Sequence, residues 1–422
     1  MLITISLNRQ GNTERMYQAS SDPDLKALDD DHLFVTAAEL NASDGLSSVT
    51  IREVAKRAAI SPSGLLYKYK NRETFLENLF RWAIRQDEQN WAQKTQTFSN
   101  LTVTEADLAP LSKAVVINNA QQNRVLITLL WDLQLHAERH VALKPLVREW
   151  RQLDIKFWTG LFAATGRPLP LATGWASAML IFQRLLILSP NTETGLCWAN
   201  DAIQRLYDRL SDRPATRPGD SIWRKASEHI LDPADTPEEN LAPTAQRILS
   251  SASELIMSNG SAALSHRAIA RDSGVSLSSL THHFASLDDI LIGAFSRIYE
   301  NARQRAESVH KNRPSYSRQE FIQKIVPNLS GPQKQEQTAS IAMDDIILTA
   351  SRRKESQPLA IALFAMTGST LFKLLSAISD SERQFDRLDG QVLRLTISGL
   401  MCGHDGNELD ELIETLLNSY VI

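Results

Sequence analysis

Residues 50–72 read TIREVAKRAAISPSGLLYKYKNR, and residues 265–287 read SHRAIARDSGVSLSSLTHHFASL. The two stretches lie 215 positions apart and align without a gap. Five positions are identical: Arg52/Arg267, Ala55/Ala270, Ser61/Ser276, Ser63/Ser278 and Leu65/Leu280. Five more keep their chemistry: Thr50/Ser265, Val54/Ile269, Lys56/Arg271, Ile60/Val275 and Tyr69/Phe284. Agreement at a fixed offset is the signature of an internal repeat, and it organises the whole chain.

The match extends upstream. Leu33, Phe34, Ala37 and Leu40 correspond to Ile248, Leu249, Ala252 and Leu255, an apolar stripe on one helix face. Gly45 and Gly260 follow at the same offset, where a helix C-cap is expected. Between the copies, Ser211–Pro243 holds five of the chain's 16 prolines and an acidic stretch, which marks a linker. The segment Ser221–Leu231 inside it has the composition of a short helix. The expected organisation is an arm over residues 1–28, a first head over 29–76 and a first helical region over 77–211. A linker over 212–243, a second head over 244–291 and a second helical region over 292–422 complete it.

Elsewhere apolar residues recur at three- and four-residue spacing with no sustained alternation, so the expected fold is all-α. With 43% hydrophobic and 22% charged residues among 422, the chain is globular and long enough for two or three domains. Two cysteines, Cys197 and Cys402, exclude a disulfide framework and a Cys-rich zinc site, as in a reducing cytoplasm. The uncharged runs Pro168–Gln183 and Ser356–Phe372 are shorter than a membrane span, and Leu2–Leu7 is too short for a secretory core. No nucleophile elbow, phosphate loop, HExxH or cofactor motif is present, so neither an enzyme nor a cofactor or metal site is expected.

Within each copy the pattern is long helix, short helix, tight turn, short helix. Thr50 and Ser265 are placed to N-cap the second helix, and Ser61 and Ser276 the third. Pro62 suits the first position of its helix, where a missing amide costs nothing. A turn is expected at Ala59-Ile60 and at Gly274-Val275. This is a helix-turn-helix, whose third helix enters a duplex major groove. Ser63 and Gly64, like Ser278 and Ser279, let that backbone approach DNA closely and leave amides for phosphate. Across Thr50–Arg72 six cations oppose only Glu53, a local charge of +5 on a chain of net −4. The second copy reaches only +1, with His266, His282 and His283.

This order of residues resembles the N-terminal domain of TetR-type repressors, over about 50 residues in each copy. The resemblance implies double-stranded DNA as partner and an all-helical C-terminal region that binds a small effector and dimerises through its last two long helices. Carried over by position, Arg52 and Arg267 lie near the groove on the second helix, while Thr50 and Ser265 touch phosphate. Pro62, Ser63, Gly64 and Tyr67, with Leu277, Ser278, Ser279 and His282, face base edges or the groove wall. Lys68, His283 and Arg72 fall at the DNA backbone, and Lys56, Lys70, Ser61, Arg271 and Ser276 complete the two candidate surfaces. The family's aromatic residue near the end of the recognition helix is Leu66 here and Thr281 in the second copy, with Tyr67 one position on. The basic residue that follows in the family is Leu287 in the second copy.

In the helical regions, Gly174–Leu188 is apolar nearly all round and Leu196–Leu210 has one apolar face; Leu359–Leu375 and Leu409–Leu417 are the expected counterparts. Two such helices per unit would form a four-helix interface within one chain, a covalent pseudo-dimer. Trp131, His136, Trp150, Trp158, Trp175 and Phe182 are the candidate lining of an effector pocket, although a tryptophan stripe at helical spacing is more often core. The reading that follows is a cytoplasmic, ligand-responsive repressor with two unequal heads on an asymmetric operator. The alternative is a helical protein-interaction scaffold whose heads no longer bind DNA.

Overall fold

The computed structural model describes residues 30–163, 165, 169–188, 193–211, 241–311, 315–330, 335–404 and 406–421. The N-terminal arm, most of the linker and the segment Ser221–Leu231 lie outside the described residues. Nearly everything described is helix, and among these residues β structure is confined to one isolated parallel bridge between Tyr316 and Ile378. The first unit comprises α1 (Asp30–Asp44), α2 (Ile51–Arg57), α3 (Pro62–Tyr69), α4 (Arg72–Phe98) and α5 (Leu108–Gln122). It continues with α6 (Arg124–Ala137), α7 (Lys144–Ala163), α8 (Leu169–Leu188) and α9 (Glu193–Leu210). The second unit repeats the order: α10 (Pro243–Asn259), α11 (His266–Ser273), α12 (Leu277–His283), α13 (Leu287–Lys311) and α14 (Arg318–Ser330). Then come α15 (Gln335–Ser351), α16 (Gln357–Met366), α17 (Ser369–Leu375), α18 (Arg387–Met401) and α19 (Gly406–Val421).

Each unit places its three-helix head on its own sixth helix, α1 on α6 and α10 on α15. The stripe read from the sequence faces inward: Leu33, Phe34, Ala37 and Leu40 are buried, as are Ile248, Leu249 and Ala252, with Leu255 half-buried. At roughly 25 cal/mol per Å² of apolar surface, such burial is what holds these short helices in place.

The two units meet through α8 and α9 on one side and α18 and α19 on the other. The counterpart of α8 is therefore α18, not Leu359–Leu375, which forms α16 and α17. That segment breaks at Gly368, whose φ of 82° is available to glycine without strain. A Cβ on Gly368 would lie 2.3 Å from the Gly390 carbonyl oxygen, so the two glycines let α17 and α18 touch backbone to backbone.

The α9/α18 contact carries buried charge as well as apolar surface. Arg205 on α9 donates to Asp386 (2.8 Å) and Asp389 (2.8 Å) at the start of α18, and Arg209 Nε donates to Asp389 at 2.9 Å. Burial works against the Arg205 charge, yet Asp389 and Asp386 hold the guanidinium above its ordinary value. Asp386 also resists the cost of burial and sits below the usual carboxylate range, held there by Arg205.

Two helical stretches, Pro170–Ile187 and Gln357–Leu375, are long and apolar enough by composition to cross a membrane, which corrects the shorter runs counted from sequence. The first is 94% buried within the protein and the second is broken at Gly368.

Candidate nucleic-acid interface

Both heads are built by the same local rules. In the first, the Thr50 hydroxyl accepts from the Glu53 amide (3.2 Å) and the Ser61 hydroxyl from the Gly64 amide (3.1 Å). In the second, Ser265 accepts from Ala268 (3.2 Å) and Ser276 from Ser279 (3.1 Å). Each cap satisfies an amide that the helix start leaves orphaned. The turn between the short helices passes through the left-handed region in both copies, at Ala59 (φ 55°) and Gly274 (φ 67°). Gly45 and Gly260 share a φ of 82°.

The inner faces are closed. Val54, Ala55, Leu65 and Tyr69 are buried in the first head, and Ile269, Ala270 and Leu280 in the second. The outer face of the first head presents Thr50, Arg52, Lys56, Ser61, Pro62, Ser63, Lys68 and Lys70, with Gly64 half-buried. Tyr67 stands 92% exposed and Leu66 45%. The second head presents Ser265, Arg267, Arg271, Ser276, Leu277, Ser278 and His282, with Ser279 and His283 half-buried. A tyrosine left almost wholly in water contributes nothing to the core and is available to a partner.

The first head's charge is less open than the sequence window implies. Asp30 pairs with Lys68 (2.6 Å) and also accepts from the Tyr69 hydroxyl, while Asp44 pairs with Arg57 (3.2 Å). Both acids come from α1, outside the window, and their inclusion brings the local charge from +5 to +3. Arg72 is half-buried and donates to the Val49 carbonyl (2.8 Å) and the Leu46 carbonyl (2.7 Å), with burial lowering its pKa. It thus ties the start of α4 to the turn that leads into α2.

The end of α1 and the turn that follows α10 (Ser261, Ala262 and Leu264) line one cleft of about 430 Å³, together with α6 and α15, so the two heads flank the same opening. His136 lies on this cleft, stacked 4.0 Å from His140.

The other candidate effector residues are packed. Trp150 donates to Asp87 (2.8 Å), Trp158 to Asp154 (3.1 Å) and Trp175 to Ser112 (3.1 Å). Phe182 meets the Trp198 ring edge-on, and Trp131 stacks on the Arg184 guanidinium beside a void of about 10 Å³. All five rings are buried. A larger opening, about 840 Å³, lies instead between α4 and α7, lined by Trp91, Phe98, Leu153, Phe157 and Leu161 among others. Sequence spacing alone does not separate the two sets, because both follow helical periodicity. The only local cue is Leu101 and Val103 just after α4, apolar residues in a loop.

The family model described as bacterial regulatory proteins, tetR family, matches the chain twice, at residues 33–79 and 248–294. This is a TetR-type regulator with two tandem units. The matches cover α1 to the start of α4 and α10 to the start of α13, the same elements that carry the exposed face described above. No curated protein matches the chain. The tandem regulator is therefore a DNA-binding helix-turn-helix protein of transcription control.

Proposed function

We propose that the tandem regulator is a ligand-responsive repressor of the cytoplasm that sets both heads on one duplex as an intramolecular pseudo-dimer. The observation that carries this reading is the shared cleft: the end of α1 and the turn after α10 line it together, which supports two heads set side by side. Half-sites one helical turn apart are about 34–36 Å from centre to centre, so a small tilt of either head breaks register. Because the exposed residues differ (Pro62 and Tyr67 against Leu277 and His282), the operator is asymmetric.

The effector enters the apolar opening between α4 and α7. Trp91, a lining residue on α4, and Trp150 of α7 both donate their Nε1 to the buried Asp87 of α4 (3.1 and 2.8 Å), tying α7 to α4 beside the opening. The same helix begins at Arg72, bound to the turn of the first head. A ligand that shifts the far end of α4 moves the first head with it. The fold's chemistry is recognition rather than catalysis.

Selection of bound duplexes from a random pool, followed by a salt titration, tests the reading. Binding should weaken steeply between about 50 and 200 mM salt, and the selected site should lack two-fold symmetry. Absence of any duplex binding at low salt would favour the protein-interaction scaffold.

A further inference from the structure

The sixth helix of each unit ends in the same pair of side chains. Residues 132–139 read DLQLHAER and residues 345–352 read DIILTASR, identical at four of eight positions, at an offset of 213 rather than 215. Each aspartate lies on its helix, and the arginine seven residues on, about two turns further along, follows just past the helix end.

Each aspartate holds the head of its own unit. Asn41 Nδ2, at the end of α1, donates to Asp132 Oδ2 at 2.9 Å, and the Ser261 amide, just after α10, donates to Asp345 Oδ2 at 2.7 Å. Each arginine crosses to the other unit. Arg352 pairs with Asp132, and Arg139 Nη2 lies 3.8 Å from Asp345. Each arginine also passes over the glycine that ends the first helix of the opposite head. A Cβ on Gly45 would lie 3.2 Å from Arg352 Nη1, and one on Gly260 would lie 2.0 Å from Arg139 Nη2.

The two crossings are reciprocal but unequal. The Arg352–Asp132 pair is nearly buried, at 10% and 9% side-chain exposure, whereas Arg139 is 34% exposed. Buried pairs lose more when one partner is removed, since the other charge is left uncompensated. The first head is thus gripped more firmly than the second.

We propose that Asp132, Arg139, Asp345 and Arg352 are positioning residues that set the separation of the two heads, and with it the half-site spacing the regulator accepts. The spacing part of this inference rests on the reading that both heads engage one duplex; the clamp itself does not.

The test uses the full chain with Cys197→Ser and Cys402→Ser, spin-labelled at Glu39→Cys and Glu254→Cys, exposed and equivalent positions on α1 and α10. Pulsed dipolar spectroscopy without DNA reads the distance between heads. Arg352→Ala should about double the width of the distance distribution, and Arg139→Ala should broaden it less. Arg352→Lys should restore most of the parent width. Arg353→Ala should leave it unchanged, because Arg353 pairs at 3.1 Å with Asp288 of its own unit. If Arg352→Ala fails to fold, Arg139→Ala, at an exposed site, still carries the test. Selection with duplexes of varied spacer length should then show the parent's spacing preference flattened about tenfold in Arg352→Ala. A distribution as narrow as the parent's in Arg139→Ala/Arg352→Ala overturns the proposal. Broadening in a chain that binds no duplex supports the clamp and overturns the operator reading instead.

Discussion

Gly399 and Ser177 meet where α18 crosses α8: a Cβ on Gly399 would lie 2.4 Å from the Ser177 carbonyl oxygen. The atom it would strike is backbone, which cannot swing aside as a side chain would. Gly399→Ala should therefore push the two units apart and cost about 1–3 kcal/mol, the range for overpacking a dense core. The denaturant midpoint measures it. A midpoint equal to the parent's would show that the crossing has room to spare.

At the same interface, Asp389 is fully buried and accepts from both Arg205 and Arg209. Its removal leaves the buried Arg209 guanidinium without its anion and Arg205 with Asp386 alone. Asp389→Ala should destabilise by about 3–5 kcal/mol, as when one partner of a buried pair is deleted. A loss below about 1 kcal/mol, the level of an exposed pair, would mean that water reaches these arginines.

Ala59 adopts a φ of 55° where the second copy places Gly274. An L-residue in that region is disfavoured by roughly 1–2 kcal/mol, partly offset by the greater chain entropy of glycine. Ala59→Gly should stabilise the first head by about 0.5–1 kcal/mol, read by hydrogen exchange of α2 and α3. The reverse change, Gly274→Ala, should weaken the second head, although a Cβ there meets open space.

On DNA, Tyr67→Ala and Arg52→Ala should reduce affinity by about 1–3 kcal/mol each while the melting temperature holds, since both side chains are exposed. Lys56→Ala should lower the salt slope by about 1. Arg267→Ala should cost less than Arg52→Ala. Equal losses would show the second head to be a full partner in binding.

Burial, with His140, Arg72 and Arg139 nearby, pulls the His136 imidazole down to about 4 from 6.5. The unfolded chain binds a proton in that interval that the folded chain does not. Its contribution to stability is therefore present above pH 6.5 and is lost as pH falls toward 4. Asp154 and Asp344, raised to about 6 by burial, act in the opposite sense. His136→Gln should lose less stability than the parent between pH 7 and pH 5 in thermal melts. An identical pH profile would place the His136 titration at its unfolded value.

The heads were legible in sequence because their helix caps and turns are local. Thr50, Ser61, Ser265 and Ser276 cap helices within three residues of themselves, and the buried stripe of α1 has a simple period. The acids that neutralise Lys68 and Arg57 were not legible, since Asp30 and Asp44 reach them through folding rather than adjacency. The interface helix α18 was missed for a related reason. It carries Arg387, Asp389, Gln391 and Arg394, which read as solvent-facing until Arg205, Arg209 and Trp198 of the other unit meet Asp389 and Gln391. Leu359–Leu375 is more apolar and so looked the better candidate. The candidate effector residues were not separable in sequence: Trp150, Trp158 and Trp175 each bury an indole N–H against a polar partner, and only three-dimensional packing tells such a ring from one that lines an opening.

The buried charges of α9 and α18 also fix which halves can recognise each other. At the 213-residue offset, Asp386 and Asp389 correspond to Thr173 and Ala176, and Arg205 and Arg209 to Asn418 and Ile422. Two copies of the first half would set Arg205 and Arg209 against Thr173 and Ala176, with no anion to receive them, and two copies of the second would leave Asp386 and Asp389 without a cation. The charges that join the halves are thus divided between them, arginines on one and aspartates on the other, and each half complements the other better than it would a copy of itself.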